Sequence, residues 1–150
     1  MCIRDSYKEA TRSNTALRRG IDNIPDVEEI ENMKLIAEKV FEPLRKFVGG
    51  PIKINSFYRS PELNVAIGGS KKSQHCHGQA IDIDDTYGHL TNAEMFEFIK
   101  EHLDFDQIIW EFGDETNPDW VHVSYVSPEQ NRNRCLQAYK ENSKTKYKTI

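Results

Sequence analysis

The segment SQHCHGQAIDID, residues 73–84, constrains the fold of this chain more than any other stretch. Apolar and acidic residues alternate in its second half. Ile81 and Ile83 therefore fall on one face of a strand, while Asp82 and Asp84 fall on the other. Two histidines and a cysteine stand before that strand. The segment therefore predicts a strand with one buried face, whose polar face carries carboxylates next to several potential metal ligands.

Helices are predicted on both sides of this strand. Apolar residues recur at three- and four-residue steps from Val27 to Phe47, which indicates an amphipathic helix that ends at Gly49. Pro43 lies inside that pattern and is expected to kink or divide the helix, because proline lacks the N–H that the helical ladder requires. Thr91 and Glu94 form a capping box at the start of another helix.

Further segments have the pattern of strands, namely residues 51–58, 106–112 and 120–125, and turn residues separate the last two. Strands separated by helices and followed by a hairpin predict an α+β domain with a small antiparallel sheet flanked by helices. From Pro128 onwards we expect a terminal helix followed by a frayed tail.

The composition argues against several classes of function. The net charge of −4 argues against nucleic acid as a partner, since binding phosphates requires a concentrated basic face. No run of the sequence approaches the roughly 20 apolar residues that a membrane-spanning helix needs. With 150 residues, of which 37% are apolar, the chain is expected to form one globular domain, which we expect to be monomeric.

The first residues, MCIRDS, match the translation of a transposon end used to prepare sequencing libraries. We interpret residues 1–6 as a non-native artefact and residues 7–150 as the domain. The natural N-terminus is then not necessarily present, so the lack of a visible signal peptide says little about location. The cysteines, Cys2, Cys76 and Cys135, are too few and odd in number for a disulfide framework.

Residues from two predicted strands form a candidate metal site. His75 lies just before the first of these strands and Asp82 within it, while His122 lies on the polar face of residues 120–125. Nitrogen and oxygen donors of this kind suit zinc, and a catalytic zinc keeps a fourth position for water. The pattern therefore predicts a three-ligand zinc site that activates water.

Other polar residues near these ligands are candidates for catalysis and substrate binding. Asp119 stands three residues before His122, at the turn where the strand begins, and its carboxylate is a candidate base. Arg59, just after the strand pattern of residues 51–58, is a candidate for holding a substrate carbonyl or carboxylate. Ser73 is a candidate hydrogen-bond partner nearby.

Several alternatives stay open, because residues of these types also serve ordinary structural roles in strands, turns and ion pairs. His77 could replace His75 as a ligand, and Cys76 could bind zinc as a thiolate. Asp84 shares the polar face of its strand and could face solvent or support the site. Glu111, at the end of the IIWE segment, could orient a histidine ligand.

Taken together, these segments resemble the zinc peptidoglycan peptidases that share the hedgehog/DD-peptidase fold. SQHCHGQAIDID fits their S-x-H-x-x-G-x-A-x-D motif, DWVHVS matches their acidic-x-x-His element, and INSFYRS matches the segment with a substrate-facing arginine. The order of these elements agrees from Ile52 to Ser124, about half of the chain. The lead-in NTALRRGIDNIP and the PLR of the first predicted helix also resemble the D,D-carboxypeptidase C-terminal type.

The resemblance implies one catalytic Zn²⁺ ion with three ligands, which are His75, Asp82 and His122. It implies that Asp119 is the general base, which helps to generate hydroxide and passes its proton to the leaving amine. It makes Arg59 the group that stabilises the scissile carbonyl oxygen, and Ser73 would help to hold the substrate. Many members have glutamate where this chain has Asp119, whereas aspartate occurs in the endopeptidase branch.

The function that the resemblance implies is hydrolysis of a peptide bond in peptidoglycan stem peptides, at the bacterial cell wall or in the periplasm. D-Ala-D-Ala carboxypeptidase and L-Ala-D-Glu endopeptidase action both fit, as does a phage endolysin that is made in the cytoplasm and then released. One rival function is that of a zinc-containing binding module, which has the same fold but catalyses no reaction. The carboxylate of Asp119 argues against it, because a binding module does not need a base beside the metal. Another is a non-haem iron oxygenase, whose ligand spacing and number of strands differ.

Overall fold

The computed structural model describes residues 3–150, in which helices dominate the first third and strands the last third. The helices are α1 (Ile3–Thr11), α2 (Asn14–Arg19), α3 (Val27–Ile36), α4 (Glu42–Val48), α5 (Pro61–Ala66) and α6 (Asn92–His102). Short helical turns also occur, a π-helical one at Ala37–Phe41 and a 3₁₀ one at Gln74–His77. The strands are β1 (Lys53–Ser56), β2 (Ala80–Asp84), β3 (Gln107–Glu111), β4 (Trp120–Ser124), β5 (Arg134–Glu141) and β6 (Lys144–Thr149).

The strands form a six-stranded sheet in the order β1-β2-β4-β3-β5-β6. Neighbouring strands are antiparallel except for β3 and β5, which run parallel. Because β4 lies between β2 and β3, His122 is paired with Asp82 on one side and with Ile109 on the other. The predicted α+β fold with helices flanking a sheet is confirmed, and the parallel pair is the one departure from the predicted antiparallel pairing.

One face of the sheet packs against helices and forms the main core. The core includes Ile36, Leu44, Ile81, Ile83, Phe96, Ile99, Ile108, Val121 and Val123, all of them buried. Burial of side chains of this size contributes about 1.5–3 kcal/mol each. The alternation predicted for QAIDID is therefore correct, since its isoleucines enter the core and its carboxylates belong to the other face.

The amphipathic helix predicted from Val27 is divided at the place where proline occurs. Helix α3 ends at Ile36, a π-helical turn follows, and Pro43 lies in the first turn of α4. Within the π-helical turn the N–H of Glu42 donates to the carbonyl of Ala37. Pro43 has no N–H to donate, and the helix changes from π-helical to α-helical hydrogen bonding just before it, so the predicted interruption of the long helix is found.

The terminal helix and frayed tail predicted from Pro128 are wrong, because this part of the chain forms the hairpin of β5 and β6. Leu136 and Ala138 are buried at a spacing of two, which is the period of a strand and not of a helix. Asn142 and Ser143 both have positive φ, 51° and 64°, as the two-residue turn of a hairpin with a right-handed twist requires.

The N-terminal interpretation stays a prediction. Met1 and Cys2 lie outside the described residues, and helix α1 begins at Ile3. Over residues 3–150, no helix combines the length and the apolar character that crossing a membrane requires.

Candidate metal centre

The turn that carries His75 is held against helix α3 by local contacts. The hydroxyl of Ser73 accepts a hydrogen bond from the His75 N–H at 3.3 Å, and the turn ends at Gly78, whose φ is +70°. A Cβ on Gly78 would lie 2.5 Å from the Glu29 carbonyl oxygen, so only glycine permits this approach. The side-chain amide of Asn32 adds a 2.9 Å hydrogen bond to a carbonyl of the same turn.

Strand pairing brings the other two predicted ligands to His75. Asp82 on β2 is directly opposite His122 on β4, and Asp82 Oδ1 lies 2.9 Å from His122 Nδ1. The other oxygen, Asp82 Oδ2, lies 3.3 Å from His75 Nε2. One ligand atom from each residue falls within 4.8 Å of the others, as a shared metal ion requires. The three predicted ligands therefore meet in space.

The chemistry of His75 fits a bound cation. Its Nδ1 lies 2.8 Å from the carbonyl oxygen of Phe57, and because a carbonyl only accepts, Nδ1 carries the ring proton of the neutral imidazole. Nε2 then presents a lone pair, is buried, and has no hydrogen-bond partner among residues 3–150. Its 3.3 Å separation from Asp82 is an ion-pair distance without hydrogen-bond geometry. A lone pair that faces a carboxylate is an arrangement that a metal cation between them would satisfy.

The electrostatics of the group favour the forms that bind metals. Burial lowers the pKa of His75 below its usual range, so the neutral imidazole is favoured although Asp82 acts in the opposite direction. Burial by itself opposes ionisation of Asp82, but the neighbouring His75 and His122 hold the pKa of its carboxyl well below the usual range. A neutral imidazole and an ionised carboxylate are the protonation states that zinc takes as ligands.

The ligands open into a cleft of about 740 Å³ on the polar face of the sheet. Its lining includes Arg59, Ser73, His75, Asp82, Glu111, Trp120, His122 and, from the hairpin, Arg134, Leu136, Lys140, Thr145 and Tyr147. A shallower groove of about 810 Å³ lies beside α4, but it contains none of the three metal-ligand candidates. We therefore assign the functional site to the cleft.

Arg59 lies in the cleft with an incompletely used guanidinium. One nitrogen, Nη1, donates to the side chain of Asn64 at 3.3 Å, while the buried Nε has no partner among residues 3–150. Burial lowers the pKa of Arg59, and the negative charges of Asp82 and Glu111 oppose that effect. The Arg59 N–H also donates to the His75 carbonyl at 3.2 Å, which ties this segment to the metal-binding turn.

Asp119 is the predicted site residue that the structure does not bring into the cleft. Its side chain is exposed and does not contribute to the cleft lining, whereas the next residue, Trp120, does. Alternation along an extended chain turns successive side chains to opposite faces, which explains the difference. The backbone of Asp119 is anchored, since its N–H donates to the Glu111 carbonyl at 2.9 Å and its carbonyl accepts from Asn92 at 3.1 Å.

The alternative ligands that the sequence left open take other positions. His77 is exposed, and neither it nor the partly buried Cys76 belongs to the group within 4.8 Å, which contains only His75 among the residues of this turn. Asp84 uses its carboxylate locally, accepting hydrogen bonds from the Asn92 side chain at 2.8 Å and from the neighbouring backbone.

The sequence predicted no definite role in the cleft for Glu111 or for the hairpin of β5 and β6. Glu111 is only 7% exposed, and burial raises the pKa of its carboxyl to about 7. The hairpin of β5 and β6 contributes Lys140 and Tyr147, and burial raises the Tyr147 pKa with a further contribution from the charge of Glu111. The period of two around Leu136 is the sequence signal that could have indicated this hairpin in place of the predicted terminal helix.

Comparison with known proteins agrees with this site. The sequence model of the family described as Peptidase M15 matches residues 5–124, which is most of the 150-residue chain. A search of the curated proteins found no match. The matched span includes β1 to β4 and all three metal-ligand candidates, and it ends before β5. The sheet with its flanking helices is consistent with the hedgehog/DD-peptidase-like fold of that family.

Proposed function

Because the chain belongs to the peptidase M15 family of zinc-dependent peptidases, we propose that it hydrolyses a peptide bond in the stem peptides of peptidoglycan. The observation that carries this proposal is the group of His75, Asp82 and His122, which lies within one cleft. The resemblance of SQHCHGQAIDID and DWVHVS to peptidases of the cell wall supports the choice of substrate. The proposed place of action is accordingly the bacterial cell wall.

A zinc ion held by these three residues would supply Lewis-acid chemistry, since it polarises a carbonyl oxygen and makes water more acidic. The other residues of the cleft bind and orient the substrate. The guanidinium of Arg59 lines the cleft and is suited to donate to a substrate carbonyl or carboxylate. The hydroxyl oxygen of Ser73 accepts from the His75 N–H, which leaves its O–H free to donate to the substrate.

The proposal covers two cleavage sites. A carboxypeptidase would remove the terminal D-alanine and would bind the free carboxylate through Arg59. An endopeptidase would cut between L-alanine and D-glutamate, with the substrate extending past the metal on both sides. The second activity would suit a phage endolysin as well as a bacterial enzyme that remodels its own wall.

Digestion of purified muropeptides by the zinc-loaded protein tests this function, with mass spectrometry of the products and protein stripped of metal by a chelator as the control. We expect cleavage that disappears on chelation and returns when zinc is added back. Loss of a single D-alanine identifies a carboxypeptidase, and a cut between L-alanine and D-glutamate identifies an endopeptidase. Stoichiometric zinc without any cleavage would contradict the enzyme and support the binding module.

A further inference from the structure

We propose that Glu111, the last residue of β3, is the catalytic carboxylate of this site, in place of the Asp119 that the sequence predicts. This inference rests on the proposed peptidase function. In the reaction Glu111 accepts a proton from the attacking water as the water oxygen bonds to the peptide carbonyl carbon. It then delivers that proton to the leaving nitrogen as the C–N bond breaks, and ends in its starting state.

Strand register places Glu111 next to the metal-ligand group. Within the antiparallel pair of β3 and β4, Ile109 is opposite His122 and Glu111 is opposite Trp120. Glu111 is therefore the diagonal neighbour of His122 on the same face, and diagonal neighbours typically lie about 7–8 Å apart. The Glu111 carboxylate lies within range of electrostatic interaction with His122, Asp82 and Arg59. Glu111 lines the same cleft as His122.

Glu111 is close to the ligands without belonging to them. Ligand atoms within 4.8 Å of one another come from His75, Asp82 and His122, and no atom of Glu111 joins that group. A fourth protein ligand would fill the position that a catalytic zinc keeps for water. Glu111 instead lines the same cleft and stays outside the ligand group, which leaves that position open.

Glu111 is largely buried, but its carboxylate has no protein partner among the described residues. The residue is 7% exposed, and its oxygens are not among the fully buried side-chain atoms without a partner, which fits a carboxylate that faces the cleft. Asp106 shows the usual arrangement, since it is also buried and accepts hydrogen bonds from Arg132 and Gln74. Burying a carboxylate without a partner is costly. A carboxylate kept free beside a metal site is available for proton transfer.

The position of Glu111 also distinguishes it from a residue that merely orients a ligand. A carboxylate that positions a metal-bound histidine accepts a hydrogen bond from the second ring nitrogen. His75 Nδ1 donates instead to the Phe57 carbonyl at 2.8 Å, and His122 Nδ1 faces Asp82 at 2.9 Å. Neither contact involves Glu111, so its role is a direct one towards the substrate and the water.

A set of matched carboxylate variants tests the inference on the muropeptide that the wild type cleaves. Glu111→Gln is isosteric, Asp119→Asn makes the same change at the rival position, and Glu115→Gln neutralises an exposed carboxylate in the β3–β4 loop. We expect Glu111→Gln to lower kcat at least about 100-fold with little change in KM, because proton transfer contributes about 10²–10⁴-fold to such reactions. We expect Asp119→Asn and Glu115→Gln to stay within about threefold of the wild type, and Glu111→Asp to be intermediate.

Two further measurements separate catalysis from folding and from metal binding. Zinc content by mass spectrometry is expected to stay at one ion per chain in Glu111→Gln, and its Tm is expected to equal or exceed that of the wild type, because an unpaired buried charge is removed. Lost zinc would instead assign Glu111 to the metal ligands, and a lowered Tm would assign it a structural role. Either result overturns the inference.

The kinetic outcomes separate this inference from the proposed function. A wild type that cleaves, together with an active Glu111→Gln and an inactive Asp119→Asn, overturns the role of Glu111 and leaves the peptidase intact. A zinc-loaded wild type that cleaves no muropeptide overturns the peptidase, and the role of Glu111 with it.

Discussion

The backbone of Gly78 passes so close to helix α3 that no side chain fits between them. Its φ of +70° is strained for other residues, and a Cβ there would lie 2.5 Å from the Glu29 carbonyl oxygen. Since His75 stands three residues earlier on the same turn, this contact sets where the first metal ligand lies. A residue without a side chain thus contributes to the geometry of the site.

Substitution of Gly78 is therefore expected to affect both stability and metal binding. We expect Gly78→Ala to lower the free energy of unfolding by about 2–4 kcal/mol, from backbone strain and overpacking together, and to weaken zinc binding. Gly20→Ala is a matched control, because Gly20 has a φ of +65° but no atom within 4 Å of an added Cβ. Gly20→Ala is expected to lower the free energy of unfolding by only about 1 kcal/mol. Urea denaturation and zinc titration of both variants check this, and equal losses would contradict the close-contact explanation.

Asp106 supplies a second residue-scale prediction, on the dependence of stability on pH. Burial alone would raise the pKa of this carboxyl, yet hydrogen bonds from Arg132 and Gln74 lower it overall. A carboxyl whose pKa is depressed in the folded state stabilises the protein at pH values above its unfolded pKa, about 3.9. That contribution is lost as the pH falls through the lower pKa of the folded state.

We expect Asp106→Asn to lower the free energy of unfolding by about 1–3 kcal/mol at pH 7, because the bidentate contact with Arg132 is weakened. The difference between variant and wild type is expected to shrink below about pH 4, where the wild-type carboxyl also becomes protonated. Denaturant titrations at pH 7, 5 and 3 measure both effects. A difference that is constant with pH would show that the charge of Asp106 does not contribute.

At the scale of elements, the hairpin of β5 and β6 is part of the cleft and not an appendage. Leu136 and Ala138 pack with Ile109 in a small cluster on the same face as the metal-ligand group. The hairpin also places Lys140 and Tyr147 in the cleft lining. The segment that the family match leaves out therefore forms one wall of the site.

The small cluster of Ile109, Leu136 and Ala138 is expected to hold the hairpin to the rest of the sheet. We expect Leu136→Ala to lower the free energy of unfolding by about 2–3 kcal/mol, since Leu136 is 7% exposed and its truncation leaves a cavity. Leu17→Ala is the control, because Leu17 is 78% exposed, and it is expected to have little effect. Zinc stoichiometry is expected to stay unchanged in both variants. Equal stability of the two variants would show that the hairpin contributes no packing energy.

At the scale of the whole molecule, the metal site joins two distant parts of the chain. His75 and Asp82 belong to one segment and His122 to another, and main-core residues of β2 and β4 hold them in register. A ligand that binds only the folded state stabilises all of it, by about 4 kcal/mol at 1,000 times its Kd. Zinc is therefore expected to stabilise the entire domain.

Thermal unfolding with and without zinc tests this linkage. We expect zinc to raise the Tm of the wild type, and His122→Ala to abolish the shift because one of three ligands is removed. His102→Ala is the matched control, since that histidine is exposed on α6 and far from the ligands in sequence. It is expected to retain the full shift. A zinc-dependent shift that survives in His122→Ala would contradict the assigned ligands.

Much of the site was predictable because local rules determine it. The period of two in QAIDID assigned Asp82 to the polar face, and the capping pattern of Thr91 and Glu94 marked the start of α6. The position of Pro43 indicated where the long helix divides. Each of these inferences depends on residues a few positions apart, where the geometry of a helix or a strand is fixed by the backbone itself.

The sequence by itself therefore determined the residue types of the metal site, the fold class and most of the strands. Only the tertiary structure decided which carboxylate enters the cleft and what forms its far wall. Asp119 and Glu111 are both plausible in sequence, but the pairing of β3 with β4 turns Glu111 towards the ligands and leaves Asp119 exposed. The parallel pairing of β5 with β3 places the hairpin beside them. Such choices depend on register between strands far apart in the chain, and a shift of one residue would reverse every face.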